Sequence, residues 1–178
     1  IRNRPRIRPD YVGKIRERSR YALAVAPVMQ RGALLTYEDK ETGTEIFGTN
    51  SDYIQTISTE IEMGRFFTDS EDRTGNRVTV IGHGIKDGFF GDQDPIGKYI
   101  KIDGVKFRVI GLLEKQGKFL GLFSVDKQAI IPAGAYQRLF SRRGWTRLTV
   151  KVPEKKNGRS QGRTLCNHAS DSTSETQR

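Results

Sequence analysis

Alternating hydrophobic and polar residues are clearest in the segment that spans residues 88–115. Ile100 and Ile102 point to one face of a short extended run, and residues 105–110 repeat the same alternation. Between the two runs lies Asp103-Gly104, the kind of dipeptide that a two-residue type I′ turn prefers because both central residues need a positive φ. The pattern predicts a β-hairpin centred on this dipeptide.

A turn precedes this hairpin. The order Asp94-Pro95-Ile96-Gly97 predicts a type I turn, with Asp first, Pro second and Gly fourth. Gly91, Gly97 and Gly104 are interpreted as turn glycines that need unusual backbone angles.

Before this segment, the pattern predicts a short helix over residues 11–19 with Asp10 as its cap. A strand over residues 21–26 is expected to end or bend at Pro27. Residues 32–38 and 44–49 predict a second hairpin around a turn at residues 39–43, with Leu34 and Tyr37 opposite Ile46 and Phe47. A helical turn to residue 57, capped by Asn50 or Ser51, comes next, and residues 68–76 are predicted to form a polar loop.

The later pattern predicts a strand at residues 78–81 and, after a glycine-rich turn, a short helix at residues 85–90. A strand at residues 129–131 is followed by a helix that Pro132 opens, and a last strand covers residues 146–152. This order predicts an α+β fold, a mixed α/β sheet domain that carries an inserted small subdomain rich in β-hairpin.

The formal charge of +10 suggests a nucleic-acid ligand until the charge is located along the chain. Residues 1–20 carry eight Lys/Arg against two Asp/Glu, and residues 155–178 carry five against two. Nine of the ten units of net positive charge therefore lie at the ends, and the middle of the chain is nearly neutral. A protein that reads phosphates carries its charge on a folded face, so the sequence argues against a nucleic-acid partner.

Few residues offer chemistry for catalysis or for cofactor binding. His83 is the one histidine outside residues 155–178, and we interpret it as a solvent-facing turn residue rather than a general base because no nucleophile motif accompanies it. Cys166 is the only cysteine, and the acidic clusters lack calcium-loop spacing. We predict no catalytic residue, no metal site, no cofactor and, without a phosphate-binding loop motif, no ATP site.

One surface contact is predicted. Phe119, Leu120, Leu122 and Phe123 lie in a glycine-rich segment, and exposed apolar loops often mark contacts with partners. The alternative is a loop that folds onto its own core.

Several motifs, taken in series, resemble the extracytoplasmic core domain of MacB-like ABC transporter permeases, in the superfamily of the lipoprotein-releasing and FtsX-like permeases. Their order and spacing match from about residue 10 to residue 154. The motifs are Gly64-Arg65-Phe66-Phe67, residues 77–82, residues 90–98 with Gly91, Asp94, Pro95 and Gly97, the hairpin that ends at Gly111, and Ile130-Ile131-Pro132.

The resemblance implies a periplasmic domain of an inner-membrane protein. The domain itself is expected to have no enzymatic activity. Such a domain relays conformational change, driven by ATP hydrolysis in a separate domain or subunit, to a substrate or partner. The implied partners are the rest of the permease with its ATPase, a second permease copy, and a periplasmic adaptor, lipoprotein or peptide. A free-standing extracytoplasmic binding or hydrolytic domain is the alternative.

We divide the chain accordingly. Residues 1–9 are a basic leader, residues 10–75 and 115–154 form a main, porter-like subdomain, and residues 76–114 form the inserted one. The chain begins at Ile1 without Met, which predicts a cut-out or processed piece of a longer protein. The resemblance implies that two membrane anchors have been removed from it. No window of the sequence has the roughly 20 apolar residues of a membrane helix.

Residues 157–178 are polar, lack periodicity and match nothing in the family. With suitable codons, residues 157–168 can be read one nucleotide later as M-E-E-A-K-D-E-L-Y-A-I-M, which is amphipathic and helix-forming. We interpret residues 155–178 as a disordered tail that is frameshifted or otherwise non-native, in which Cys166 and His168 have no function. An ordinary disordered tail is the alternative, and sequencing the encoding DNA distinguishes the two.

Overall fold

The computed structural model describes residues 23–115, 126–140 and 145–151. None of its helices is long and apolar enough to cross a membrane within these ranges. The predictions for residues 1–22, for the contact segment at residues 119–123 and for residues 155–178 lie outside the described residues. In chain order the elements are β1 (Ala24–Tyr37), β2 (Lys40–Thr49), α1 (Tyr53–Thr56), β3 (Ile61–Gly64), α2 (Asp69–Thr74), β4 (Val78–Ile81), α3 (His83–Phe89), β5 (Tyr99–Ile102), β6 (Val105–Leu113), β7 (Gln128–Pro132), α4 (Ala133–Phe140) and β8 (Trp145–Lys151).

The eight described strands form one mixed sheet, in the order β2-β7-β4-β6-β5-β1-β8, with β3 beside β6. Strand β1 pairs with β2 as well as with β5, so the pairing returns to its starting strand and the sheet closes on itself. Helices and a mixed sheet confirm the predicted α+β class. Strands β4, β5 and β6, from the predicted inserted subdomain, lie in the same sheet as the flanking strands, and the division into subdomains stays a prediction.

Two hydrophobic clusters cover the two faces of this sheet. The larger contains Leu35, Phe107, Ile131 and Tyr136 together with the buried face of α3 and α4. The smaller contains Ala26, Val28, Phe67 and Ile130, and Tyr53 of α1 packs into it. Coverage of both faces explains why every residue of β4 and β7 is buried, rather than every second one.

The hairpin between β5 and β6 is confirmed. Asp103 and Gly104 have φ values of 47° and 82°, as a two-residue turn of this type requires. Ile102 lies opposite Val105 and Ile100 opposite Phe107, so both strands bury the same set of alternate residues.

The predicted type I turn over residues 94–97 is wrong by one residue. The hydrogen bond that closes the turn joins the amide of Lys98 to the carbonyl of Pro95 at 3.2 Å, and Gly97 has a φ of 82°. A positive φ at the third residue is the signature of a type II turn, here Pro95 to Lys98. The Asp94 side chain accepts a separate bond from the amide of Ile96 at 2.8 Å.

The predicted pairing of the first hairpin is also wrong. Strands β1 and β2 are joined by two residues, so Tyr37 lies opposite Lys40 and Ile46 lies opposite Arg31. The tight turn is made by Glu38, which has a φ of 53°, rather than by a longer loop around Gly43. The sequence held no signal for it, because Glu is not a residue that favours a positive φ.

Strand β1 does not end at Pro27, which lies opposite Leu148 of β8. The carbonyl of Pro27 accepts a bond from the Thr49 hydroxyl at 2.7 Å, on the edge that faces β2. The amide position of a strand residue points to the same edge as its carbonyl, so the missing N–H of Pro27 does not interrupt pairing with β8.

Residues 68–76 are not a simple polar loop, because they contain helix α2. Thr68 and Glu71 form a capping box, and Gly75 ends the helix with a φ of 64°. Helix α1, in turn, begins after Asp52 without a side-chain cap, and Asn50 instead donates its amide to the carbonyl of Val25 at 3.0 Å. The predicted cap at residue 50 or 51 is therefore wrong.

Candidate functional site

The first and last strands of the described part lie side by side. Residues 24–30 of β1 pair antiparallel with residues 145–151 of β8, and this pairing is called the stem below. The amide of Leu23 donates to the carbonyl of Lys151 at 2.8 Å. The chain thus enters the sheet and leaves it at one place.

Side chains from neighbouring elements hold the stem. The Thr149 hydroxyl donates to the carbonyl of Ala26 at 3.1 Å and lies 3.1 Å from the hydroxyl of Thr56 on α1. On the other edge of β1, Thr49 and Asn50 bind the carbonyls of Pro27 and Val25. Both edges of the stem's first strand are therefore held by side-chain hydrogen bonds.

Strand β1 links the stem to the opposite end of the sheet. Its 14 residues span about 46 Å at the usual rise of a strand. At the far end, the Tyr37 ring packs against Phe90 with a centroid distance of 4.4 Å. There β1 is also joined to the β5–β6 hairpin, because the Asp103 carboxylate accepts bonds from the amide of Leu34 and the guanidinium of Arg31, both at 2.8 Å. One strand thus connects the chain's entry point with two turns at the distal end.

Gly64 is the last residue of β3, which pairs with β6, and Arg65 and Phe66 follow it. Gly64 has a φ of 74°, and a Cβ atom at this position would overlap the carbonyl oxygen of Ile110. That oxygen accepts a bond from the Arg65 amide at 2.9 Å. The glycine allows the chain to turn while touching β6.

The Arg65 side chain forms a bidentate ion pair with Glu71, with distances of 2.7 and 2.8 Å. This hydrogen-bonded guanidinium, together with the Thr68 amide, lowers the pKa of Glu71 to about 2. The same carboxylate completes the capping box of α2, so one acidic side chain fixes both the helix start and the turn after β3.

Helix α2 is fixed in turn to α4. The Asp72 carboxylate accepts a bond from the amide of Gly134 at 3.0 Å, and burial raises the pKa of this carboxyl group. Arg138 of α4 reaches back to the carbonyl of Thr74. The two helices therefore form one unit against β7 and β2.

The predicted contact residues Phe119, Leu120, Leu122 and Phe123 lie outside the described residues, but the positions that flank them are placed. Before them, the amide of Glu114 donates to Glu60 at 2.9 Å, and after them the carbonyl of Asp126 accepts from Gly84 at 2.8 Å. Both flanks lie at the sheet edge where the parallel strands β4 and β6 end.

His83, at the same edge, is the first residue of α3 rather than a solvent-facing turn residue. Its side chain is 14% exposed, and Nε2 lies 2.7 Å from a carboxylate oxygen of Glu62. Across the described residues, no three His, Cys, Asp or Glu side chains are grouped to hold a metal ion. The chemistry visible at this edge is a hydrogen-bonded pair.

Sequence reasoning predicted a strand near each end of the chain but not their pairing, because paired residues of the stem are separated by more than a hundred positions and pairing at that distance leaves no local pattern. It also missed the roles of Glu71 and Asp72. The spacing of Thr68 and Glu71, a capping box, was the available signal for the first of these.

Comparisons with known proteins agree with this architecture. The family described as MacB-like periplasmic core domain matches residues 2–159. The macrolide export ATP-binding/permease protein MacB of Bdellovibrio bacteriovorus is 34% identical over 140 residues, which cover 78% of this chain and 21% of that protein. The pyoverdine export ATP-binding/permease protein PvdT of Pseudomonas aeruginosa is 32% identical over 120 residues, which cover 67% of this chain and 18% of that protein. The chain therefore spans about a fifth of the length of the curated relatives that it matches.

Two solved structures have the same fold. The periplasmic region of MacB from Actinobacillus actinomycetemcomitans superposes with a TM-score of 0.72 at 19% identity, over 88% of this chain and 69% of that one. The extracellular domain of the ABC-type transporter YknZ from Gram-positive bacteria gives 0.70 at 20% identity, over 83% and 74%. With the family match extending over most of its length, the chain belongs to the MacB-like periplasmic core domains.

Proposed function

We propose that the chain is the periplasmic domain of a MacB-type ABC transporter permease in the inner membrane, and that it relays ATP-driven conformational change to a substrate or partner outside that membrane. ATP hydrolysis belongs to a separate domain or subunit, and a second permease copy completes the transporter. The observation that supports the relay is the stem, where the strands that enter and leave the sheet are paired.

The mechanical argument follows from hydrogen bonding. In the proposal, the chain on either side of the stem leads toward the membrane, so a movement of the membrane helices acts on β1 and β8 together. Seven paired positions and the bond from Thr149 resist slippage between these strands, and the bonds from Thr49 and Asn50 fix β1 to the rest of the sheet. Strand β1 then carries the displacement to the distal turns as part of a sheet that closes on itself.

The proposed partner contact is the apolar segment Phe119, Leu120, Leu122 and Phe123. The residues that flank it lie at the ends of β4 and β6, which are hydrogen-bonded into the sheet. A partner bound there would therefore be attached to the sheet that the stem displaces. A periplasmic adaptor, a lipoprotein or a peptide fits an apolar contact of this kind, and the proposal includes no nucleic acid.

The relay is tested by inserting a flexible linker directly before the stem. A Gly-Gly-Ser insertion before Leu23, in the complete transporter reconstituted in lipid vesicles, lengthens one connection without altering the sheet. We expect ATP hydrolysis to persist and transport to fall at least about tenfold, since a flexible linker does not transmit force.

The matched control carries the same insertion after Asp92, in the exposed turn between α3 and β5. It should leave both activities near their original values. Equal transport in the two variants, or a parallel loss of hydrolysis in the stem variant alone, contradicts the relay.

The contact segment has its own test. A photo-crosslinking residue in place of Phe119 or Phe123 should capture a periplasmic protein or peptide in intact cells, whereas the same residue in place of the exposed Arg73 on α2 should not. Equal capture at these positions argues against the contact.

A further inference from the structure

The outer face of the β5–β6 hairpin carries a cluster of cations that the relay does not use. Alternate residues of the hairpin are buried, and the residues between them are exposed. The exposed set consists of Tyr99, Lys101, Lys106 and Arg108, and it is called the basic face below.

Within the basic face, like charges lie directly opposite one another. Lys101 pairs with Lys106 across the two strands, and Tyr99 pairs with Arg108. The Lys106 ammonium lies 5.4 Å from the centre of the Tyr99 ring. Directly opposed like charges destabilise a pair of strands, so this arrangement lowers the stability of the hairpin.

Three arginines elsewhere in the described residues are paired with carboxylates. Arg31 pairs with Asp103, Arg65 with Glu71, and Arg73 with Asp69. In contrast, none of Lys101, Lys106 and Arg108 forms an ion pair with a carboxylate of the described part of the chain. The basic face is therefore an uncompensated positive surface on a molecule whose middle is otherwise nearly neutral.

A shallow cavity of about 240 Å³ borders the basic face. Its lining includes Tyr99, Lys101 and Lys106, with Thr36 and Tyr37 from the end of β1 and Glu38 from the adjoining turn. Two apolar side chains remain exposed nearby, Tyr99 at 53% and Leu34 at 45%. The surface thus combines cations with exposed apolar contact area.

We propose that the basic face binds an acidic polypeptide segment in an extended conformation, with carboxylates at every second residue. Side chains two residues apart on a strand point to the same side and lie about 7 Å apart. Arg108 is separated from Lys106 by the same two-residue step. One carboxylate of the segment therefore binds Lys101 and Lys106, and the next carboxylate binds Arg108. Tyr99 and Leu34 contact the apolar atoms between the charges, and Glu38 repels a carboxylate that extends beyond the cavity.

An extended segment fits this face better than a single phosphate or a lipid headgroup. In phosphate sites, backbone amides and cations point at one position, whereas these cations are spread along two neighbouring strands. The basic face also adjoins Thr36 and Tyr37, at the end of β1 opposite the stem. The inference therefore concerns the end of β1 that is distal to the stem.

The test measures binding of a fluorescent peptide of alternating Glu and Thr to the full 178-residue chain. We expect saturable binding that weakens as salt is raised, because exposed charge pairs are screened. The double substitution of Lys101→Gln with Lys106→Gln should weaken binding about fivefold to tenfold. The matched control, Lys115→Gln with Lys127→Gln, removes two exposed charges elsewhere and should bind as the original does.

Two further peptides and a stability measurement complete the test. A peptide with Gln in place of Glu should not bind, and one with the same number of Glu residues grouped at adjacent positions should bind more weakly. The Lys101/Lys106 double variant should unfold at an equal or higher temperature, which separates lost binding from lost folding. Equal loss in the two double variants, or selective binding of phosphatidylglycerol vesicles instead of the peptide, overturns the proposal.

Discussion

The carboxylate of Asp72 accepts a hydrogen bond from the backbone amide of Gly134 at 3.0 Å, so a side chain 62 residues earlier caps the first turn of α4. The two helices approach so closely that a Cβ atom at Gly134 would overlap the carbonyl oxygen of Asp72. A long-range contact thus fixes a helix start that its own sequence does not cap.

Removing this cap should destabilise the protein. Asp72→Ala leaves an amide at the start of α4 without its acceptor, and we expect the free energy of unfolding to fall by about 1–2 kcal/mol. Asp72→Asn keeps an acceptor oxygen and should lose less. Urea unfolding followed by circular dichroism measures both, and equal losses in the two variants would contradict the capping role.

Glu71 should make stability depend on acid in a defined range of pH. Its pKa falls from 4.5 to about 2 because Arg65 and the Thr68 amide favour the carboxylate. The resulting stabilisation is complete above the unfolded pKa and is lost as the pH falls toward the folded one. The difference in unfolding free energy between the original chain and Glu71→Gln should therefore shrink between about pH 5 and pH 2.

Asp72→Asn is the control for that experiment, because burial raises the pKa of Asp72. A raised carboxyl pKa gives a contribution that is present at low pH and is lost as the pH rises through the folded value. The difference in unfolding free energy from the original chain should therefore change with pH in opposite directions for the two variants. Parallel curves would rule out these opposed shifts.

Two glycines should respond in opposite directions to alanine. At Gly88, within α3, a Cβ atom meets nothing within 4 Å, so Gly88→Ala should raise the free energy of unfolding by about 0.5–1 kcal/mol. Gly134→Ala should lower it by about 1–3 kcal/mol, because backbone atoms of α2 occupy the space. Thermal unfolding of the two variants side by side tests this, and a neutral Gly134→Ala would show that the helices can separate.

Asp103 combines a turn conformation with two hydrogen bonds. Asp103→Ala loses the bonds to Leu34 and Arg31 and places alanine at a φ of 47°, so we expect a loss of about 2 kcal/mol. Asp103→Asn tolerates this φ and still accepts from the Leu34 amide, so it should lose about half as much. Chemical denaturation distinguishes the two, and an alanine variant as stable as the original would contradict the assignment.

How far the sequence predicts the fold depends on the range of the interactions. The β5–β6 hairpin was predictable because Asp103-Gly104 and the alternation beside it are local signals. The β1–β2 register was not, since Glu38 adopts a positive φ without belonging to a residue type that favours it. Gly43, a more usual turn residue, lies in β2 opposite Leu34.

Misplaced elements have physical reasons of the same kind. Pro27 lies within a strand because its missing N–H faces the edge where the Thr49 hydroxyl donates to its carbonyl. No local sequence pattern predicts this contact. The contact between Asp72 and Gly134 and the pairing of β1 with β8 both join distant parts of the chain. Interactions of this range depend on the completed sheet, and one sequence without its fold does not specify them.

The adjacency of Leu23 and Lys151 has a consequence for protein engineering. A host protein could receive residues 23–151 as a cassette within a surface loop, because the graft needs attachment points only a few ångströms apart. The two ends of the host loop would not have to be separated, and a displacement of the host at these ends would be transmitted to the inserted domain through β1 and β8.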